Sequence, residues 1–392
     1  MILDSEEIRI IEKRRKSFVN KLFSKIDVFS HKCRKPKKKK LIVGLLITDR
    51  CNLNCIYCYE KYKKNKTASL ETLQGVIKKI LQADSVWEEV EFRLLGGEPF
   101  LHSDLIKDLV DWSLKKKWNK KISFYITTNG TCISSQMKKW LIENKNYVNV
   151  ILSLDGPSYI QNSNRQNSYL SIDFDFFART WPEIPVKMTV NKIGMKELYN
   201  SVRYIRERLN LKVSFSLAGG EMWNEEDFII FEREQNKIYE YYKDIEEIPK
   251  IYNIQLSKIY SLTSTVRQCG IGYNTVVYDM DGNPYACHLL LPNVMGNQWI
   301  PDITYFRNDN ILRDAKCENC VIDKICPTCY AYNIVERGEA CERNHDLCKF
   351  YLSIIKFAVK YKAKFYYKKK FYTSHEMQEI EAIMLLHEKI GH

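Results

Sequence analysis

Three cysteines stand at Cys-x3-Cys-x2-Cys spacing in the stretch Thr48-Asp49-Arg50-Cys51-Asn52-Leu53-Asn54-Cys55-Ile56-Tyr57-Cys58-Tyr59-Glu60. Thiolates this close cannot all face inward from one strand or one helix, so the stretch reads as a loop wrapped around a ligand. Three thiolates without a fourth suit an iron–sulfur cube that leaves one iron open. A structural zinc takes four protein ligands in a closed site; zinc, or three packed thiols, is the competing reading. Eight further cysteines, Cys269, Cys287, Cys317, Cys320, Cys326, Cys329, Cys341 and Cys348, fall in loop-like sequence beyond about residue 266. No apolar export segment lies between Met1 and Lys25, so thirteen cysteines, several in Cys-x2-Cys pairs, speak for metal rather than disulfides. A stretch so poor in helix and strand patterns needs another source of stability, and bound clusters provide one. Cys33 and Cys132 have no partner in either group and read as packed or surface thiols.

The elements that must position these residues follow a rhythm. An apolar run, Leu41-Ile42-Val43-Gly44-Leu45-Leu46-Ile47, leads into the triple-cysteine loop and reads as a buried strand. Strand-like runs recur at 41–48, 90–96, 121–128, 148–154, 185–191 and 211–217. Helical patterns at 69–83, 103–116, 134–144, 196–209 and 225–246 separate them, the first with a capped start at Ser69. Six β-then-α units imply a parallel α/β sheet, open or closed into a partial barrel, with ligands at the C-terminal strand ends. The cysteine loop follows the first strand, where an active site belongs. Residues 4–30 read as an amphipathic lead-in helix, and the lysine run to Lys40 as a linker.

The chain has 392 residues, 45% apolar and 12% aromatic, which is globular rather than disordered. No run approaches a membrane span, and a cytoplasmic location is expected. The net charge of +13 arises from 61 basic and 48 acidic residues. Its densest runs, Arg34 to Lys40, Lys115 to Lys121 and Lys360 to Lys370, fit solvated faces, nucleic acid or an acidic peptide partner, and charge alone does not choose.

Taken together, the motifs resemble the radical S-adenosylmethionine (SAM) enzymes. Cys51-x3-Cys55-x2-Cys58 with Tyr57 before the last cysteine is the signature. Gly96-Gly97-Glu98-Pro99, Thr128-Asn129-Gly130, Ser153-Leu154-Asp155-Gly156 and Asn191 follow at successive strand ends. The cysteine-rich segment is similar to the SPASM extension, which holds two auxiliary clusters. The resemblance implies Cys317, Cys320, Cys326 and Cys348 on an outer 4Fe-4S cluster, and Cys269, Cys287 and Cys329 on an inner one. Two residues rather than the family's three separate Cys326 from Cys329, which leaves the role of Cys329 open. Cys341 is extra to the pattern, either the inner cluster's fourth ligand or a plain thiol.

The resemblance implies a partial TIM-like (β/α)6 barrel, then a small irregular cysteine-rich domain and a C-terminal helix. The expected divisions are 1–40, 41–250, 251–350 and 351–392. It also implies S-adenosylmethionine on the open iron, cleaved by one electron to a 5′-deoxyadenosyl radical that abstracts hydrogen. Tyr57, Gly96, Gly97, Glu98, Pro99, Asn129, Ser153, Asp155, Arg165 and Asn191 are the candidate cofactor contacts. In that set Glu98 accepts from the methionine ammonium. Asp155 is either a cofactor contact or a turn residue, and Arg165 either pairs with the methionine carboxylate or is a solvated loop arginine. His288 stands where the sulfatase-maturing branch has a catalytic aspartate; it is a proton acceptor or a donor to cluster sulfur. The leading expectation is a thioether or carbon–carbon crosslink in a ribosomally made peptide. The peptide's leader would be bound here or by a separate protein, with flavodoxin or ferredoxin as electron donor. Formylglycine formation is the alternative; a nucleic-acid-modifying radical enzyme and a non-enzymatic iron–sulfur scaffold rank below it.

Overall fold

The computed structural model describes residues 8–9, 12–13, 39–245, 247–260, 269–369 and 372–390. Apart from the first four of these, the helix expected over 4–30 lies outside the described residues, as does Cys33.

All six expected strands form: β1 (Lys40–Thr48), β2 (Glu89–Gly96), β3 (Lys121–Thr128), β4 (Val148–Leu152), β5 (Val186–Val190) and β6 (Val213–Leu217). β1 to β4 pair in parallel with their neighbours, as do β5 and β6. The two runs join through a narrow seam, a parallel bridge between Ser153 and Lys187 and a bond from Leu154 N to Lys187 O of 3.0 Å. Two further strands arise where none was expected. β7 (Thr275–Tyr278) pairs in parallel with the free edge of β1, and β8 (Pro284–Tyr285) returns antiparallel against it. The cysteine-rich region thus extends the barrel sheet to the order β4-β3-β2-β1-β7-β8. β1 becomes a central strand, and Val43, Leu45, Leu46 and Ile47 are buried, as a continuous apolar run in a parallel sheet should be.

The helices cover the outer face. α1 (Leu70–Gln82) starts where the Ser69 hydroxyl accepts from Thr72 N at 3.0 Å, and buries Leu73, Val76, Ile77 and Leu81 from one stripe. α2 (Ser103–Leu114) and α3 (Ser135–Glu143) follow the expected pattern. Two seven-residue helices without an expectation, α4 (Ser158–Asn164) and α5 (Phe174–Thr180), occupy the connection from β4 to β5. α6 (Leu198–Glu207) and α7 (Glu225–Tyr242) complete the set, α7 opening on a capping box between Asn224 and Asp227.

α8 (Tyr330–Arg337) belongs to the cysteine-rich region, which is not held by cysteines alone. Ile271, Ala286, Leu290, Phe306 and Leu312 form a small apolar core there. The expected single C-terminal helix is two, α9 (Cys348–Lys368) and α10 (Ser374–Ile390), packed antiparallel and tied by a buried pair, Lys362 Nζ to Glu379 Oε2 at 2.6 Å. Among the described residues no helix is long and apolar enough to cross a membrane.

Candidate active site

The cysteine loop is fixed from both sides before any ligand is considered. The Asp49 carboxylate accepts from Lys64 N and Lys66 N, both at 2.6 Å, which folds the chain after the cysteines back onto the end of β1. On the other side Glu98 N donates to Arg50 O at 2.8 Å. Gly97 is required at this crossing, because a Cβ there would lie 2.4 Å from Arg50 O.

Inside the barrel mouth lies a cavity of about 620 Å³. Cys51, Cys55 and Cys58 all line it, with Tyr57, Gly96, Gly97, Asn129, Ser153, Arg165 and His288 from the sequence-predicted set. Three thiols on one loop face a space large enough for a nucleoside-sized ligand, and no other cysteine shares their loop, which fits a cluster with one open position. Burial pushes the Cys51 thiol up to about 11 and raises Cys55 as well, so a bound metal must supply the positive charge that holds them as thiolates.

Glu98, Pro99, Asp155 and Asn191 do not line the cavity. Glu98 is completely buried, and its carboxylate accepts from Thr128 Oγ1 at 2.7 Å, Asn129 N at 2.7 Å and Phe100 N at 3.1 Å. Three donors occupy most of what a carboxylate can accept, so Glu98 knits the end of β2 to that of β3 rather than reaching an ammonium. Burial raises it to about 7 against the pull of those donors. Asn191 caps the turn after β5, accepting from Gly194 N at 2.8 Å and donating to Asn164 Oδ1 at 2.9 Å. In this structure both side chains are engaged by the framework and neither faces the cavity.

Asp155 is the hub of the framework. Its carboxylate takes Arg165 Nε at 3.1 Å and Nη2 at 3.2 Å, Asn164 Nδ2 at 3.1 Å, Thr189 N at 3.0 Å and the Tyr57 hydroxyl. One side chain therefore joins the cysteine loop, α4 and β5. The Arg165 guanidinium, so anchored, stacks over the Tyr57 ring at 5.2 Å and lines the cavity beside Cys55. It is 8% exposed, which removes the solvated-loop alternative. Burial, together with the Asp155 carboxylate, holds the Tyr57 phenol well above its usual range.

The remaining thiols fall into two sets by the charges they impose on one another. Cys269, Cys287 and Cys329 form one; Cys317, Cys320, Cys326 and Cys348 form the other. The shortened Cys326–Cys329 spacing therefore does not separate Cys329 from the first set. Cys341 stands apart from both: its thiol points at the Glu339 carboxylate at 3.5 Å, and burial and that carboxylate raise it. Acidic neighbours oppose the thiolate a metal needs. Near the second set, His345 Nε2 lies 2.8 Å from Asp314 Oδ2 and its Nδ1 3.6 Å from Cys348 Sγ. This carboxylate–imidazole–sulfur chain was not foreseen.

The cysteine-rich region also closes the cavity. Tyr59 meets the His288 ring edge-on at 5.6 Å and lies within reach of the charges of Cys58 and Cys287. Tyr332 spans Cys329 and Cys58 in the same way and packs on Gly219 at the end of β6. Burial, then Lys187 and Arg93, lower His288 to about 4, so its imidazole is neutral near pH 7. Sequence reasoning missed the polar lining below it, Glu91, Arg93, Tyr125, Lys187, Thr189 and Ser216. Glu91 and Arg93, like Lys187 and Thr189, stand two apart on one strand, so the period-2 pattern was the available signal.

Residues 45–233 match the family model of the radical SAM superfamily. That stretch is a radical SAM domain, and the cysteine-rich region lies beyond it. A cysteine-type anaerobic sulfatase-maturating enzyme of Clostridium perfringens is 35% identical over 175 residues, covering 40% of this chain and 46% of that protein, so the match spans less than half of that relative's length. The structure of anSMEcpe with bound AdoMet superposes with a TM-score of 0.62 at 21% identity, over 81% of this chain and 97% of that one. Streptococcus suis SuiB bound to S-adenosylmethionine gives 0.53 at 15% identity, over 85% and 87%. Both proteins have also been solved with peptides bound, a Cp18Cys peptide and the precursor peptide SuiA respectively. The family implies a 4Fe-4S cluster and S-adenosylmethionine, which the three-thiol loop and its cavity suit.

Proposed function

We propose that this protein modifies a peptide by radical chemistry, forming a crosslink that starts from hydrogen abstraction. The carrying observation is that the triple-cysteine loop and His288 line one cavity, while Tyr59 and Tyr332 bridge from that loop to Cys287 and Cys329 of the inner thiol set. The neighbours that share this architecture have been solved with peptides, which favours a peptide over a nucleotide. In this reading residues 41–250 are the catalytic barrel, 251–350 the auxiliary-cluster region and 351–392 a helical buttress.

Cys51, Cys55 and Cys58 would hold the cluster, and S-adenosylmethionine bound there would supply radical chemistry, with a flavodoxin or ferredoxin as the electron donor. The strand-end backbone at Gly96 and Gly97, with Asn129, Ser153 and Arg165, orients the cofactor, and the Arg165 guanidinium is placed for its carboxylate. Tyr59, Tyr332 and the roof exclude water. His288 is the residue positioned to accept a substrate proton. Cys317, Cys320, Cys326 and Cys348 hold an outer auxiliary cluster, and Cys269, Cys287 and Cys329 an inner one. With Cys341 set apart, Cys269, Cys287 and Cys329 would give the inner cluster three protein thiolates, which would leave room for a substrate thiolate and favour a thioether.

The second reading, oxidation of a cysteine to formylglycine, is favoured by the sequence kinship with the Clostridium perfringens maturase. Co-expression with candidate short peptides encoded near this gene, followed by tandem mass spectrometry, separates the two. A crosslinked product loses two hydrogens and keeps its sulfur; formylglycine loses the sulfur and gains an aldehyde. No 5′-deoxyadenosine under anaerobic reducing conditions, or an unaltered peptide, would refute the proposal.

A further inference from the structure

The half of the lumen built from the N-terminal parts of the strands carries charges that the cofactor site does not use. Arg93 on β2 and Lys187 on β5 both line the cavity, and both lie close enough to His288 to act on it. They also repel each other. The only carboxylate lining this end is Glu91, which is 4% exposed and already taken: Lys40 Nζ binds its Oε2, and Arg93 Nε donates to its Oε1 at 2.8 Å. Three cations thus face one anion. Among the described residues Lys187 has no ion-pair partner, and its exposed side chain lines the cavity. Arg165, the guanidinium suited to the cofactor, sits at the opposite end beside Cys55. Arg93 shares the Glu91 carboxylate with Lys40 and its side chain is 47% exposed, so together with Lys187 it leaves net positive charge facing the open lumen.

We propose that Arg93 and Lys187 form a carboxylate-binding pocket that holds an acidic group of the substrate below the radical site, next to His288. The planar fork of Arg93 has donors left beyond its single bond to Glu91, and the Lys187 ammonium has three, enough to clamp both oxygens of a carboxylate. Tyr125 on β3 and Thr189 and Ser216 on β5 and β6 add hydroxyls around the same volume. The pocket makes the protein selective for a substrate with an acid close to the carbon that loses hydrogen. That acid is either an aspartate or glutamate side chain or a C-terminal carboxylate.

The test uses the anaerobically reconstituted full chain loaded with S-adenosylmethionine and equilibrium dialysis of three labelled probes. N-acetylglutamate α-amide presents a side-chain acid, N-acetylglutamine a terminal acid, and N-acetylglutamine α-amide neither. At least one acid is expected to bind about tenfold tighter than the neutral probe, the gap set by a charge-assisted pair, and the tighter acid identifies the source. In Arg93→Met and Lys187→Met the preference should fall to within about twofold, with iron content and S-adenosylmethionine affinity retained. Lys187→Arg, which preserves charge, should keep it. Equal binding of all three probes, no measurable binding of any, or an acid preference that survives in the Arg93→Met/Lys187→Met double variant overturns the pocket. The inference rests on the peptide reading only for the source of the acid. If that reading alone fails, the acid preference remains while no peptide is modified; if the pocket alone fails, peptides are modified without it.

Discussion

Replacing Asp155 by Asn tests whether the site is a preassembled framework. The substitution keeps the shape but removes the charge that anchors Arg165 through two bonds and also accepts from Tyr57, Asn164 and Thr189. Arg165 is 8% exposed, so it cannot swing into water, and the new amide turns donors toward a guanidinium that has only donors. Leaving one partner of a buried pair uncompensated costs about 3–5 kcal/mol. For 392 residues the unfolding entropy is about 0.8 kcal/mol/K, so the melting temperature of the reconstituted protein should fall by about 4–6 °C. Because Tyr57 lies between Cys55 and Cys58, iron retention at the first cluster should fall as well. The double variant Asp155→Asn/Arg165→Met removes the orphaned charge and should recover most of the stability, while S-adenosylmethionine binding stays weak. Differential scanning fluorimetry, iron analysis and equilibrium dialysis with the cofactor read the three effects. A drop of under about 1 °C in the single variant, the size of a surface pair, would refute the framework and return Arg165 to a solvated loop.

Gly97→Ala should strip iron from the first cluster while leaving the roof cysteines loaded, because its Cβ would meet Arg50 O at 2.4 Å; wild-type iron content would disprove the close crossing. Cys341→Ser should leave iron content unchanged where Cys329→Ser lowers it, and equal losses would restore Cys341 as a ligand. Glu98 is raised from 4.5 to about 7, so its contribution to stability is fully present below 4.5 and lost as pH climbs through 7. Wild-type melting temperature should therefore decline over that window more steeply than that of Glu98→Gln, by at most about 4 °C, and parallel curves would contradict the burial argument. Lys362→Met should cost about 3–5 kcal/mol by stranding Glu379 between α9 and α10, with recovery in Lys362→Met/Glu379→Leu; a neutral single variant would show the pair to be solvated.

What the sequence could show follows from what local patterns encode. The apolar run 41–47 and its five successors announce buried strands because both faces of a parallel sheet are covered, and the strand-end motifs are contiguous residues. The helices α4 and α5 escaped because seven residues carry barely two turns of period. β7 escaped because Thr275-Val276-Val277-Tyr278 is too short to stand out, and only its pairing with β1, some 230 residues earlier, makes it a strand. The framework bonds of Glu98 were not legible for a related reason. The motif locates it at the end of β2, but whether its carboxylate turns to the lumen or to the β3 backbone is decided by Thr128 and Asn129, thirty residues on.

The lumen shows the same limit from the other side. Glu91, Arg93 and Lys187 look in sequence like the polar face of half-exposed strands, the ordinary place for charge in an alternating pattern. Closing the strands into a barrel inverts that meaning, since the face opposite the helices becomes interior, and a residue that would be solvated on an open sheet is enclosed with its neighbours' charges. The excess of cations there is then not part of the +13 spread over the surface but a local field aimed at one volume, beside the one imidazole that the roof lowers into it. In the proposed reading the cysteine loop supplies the radical chemistry, and the charges across from it select the substrate.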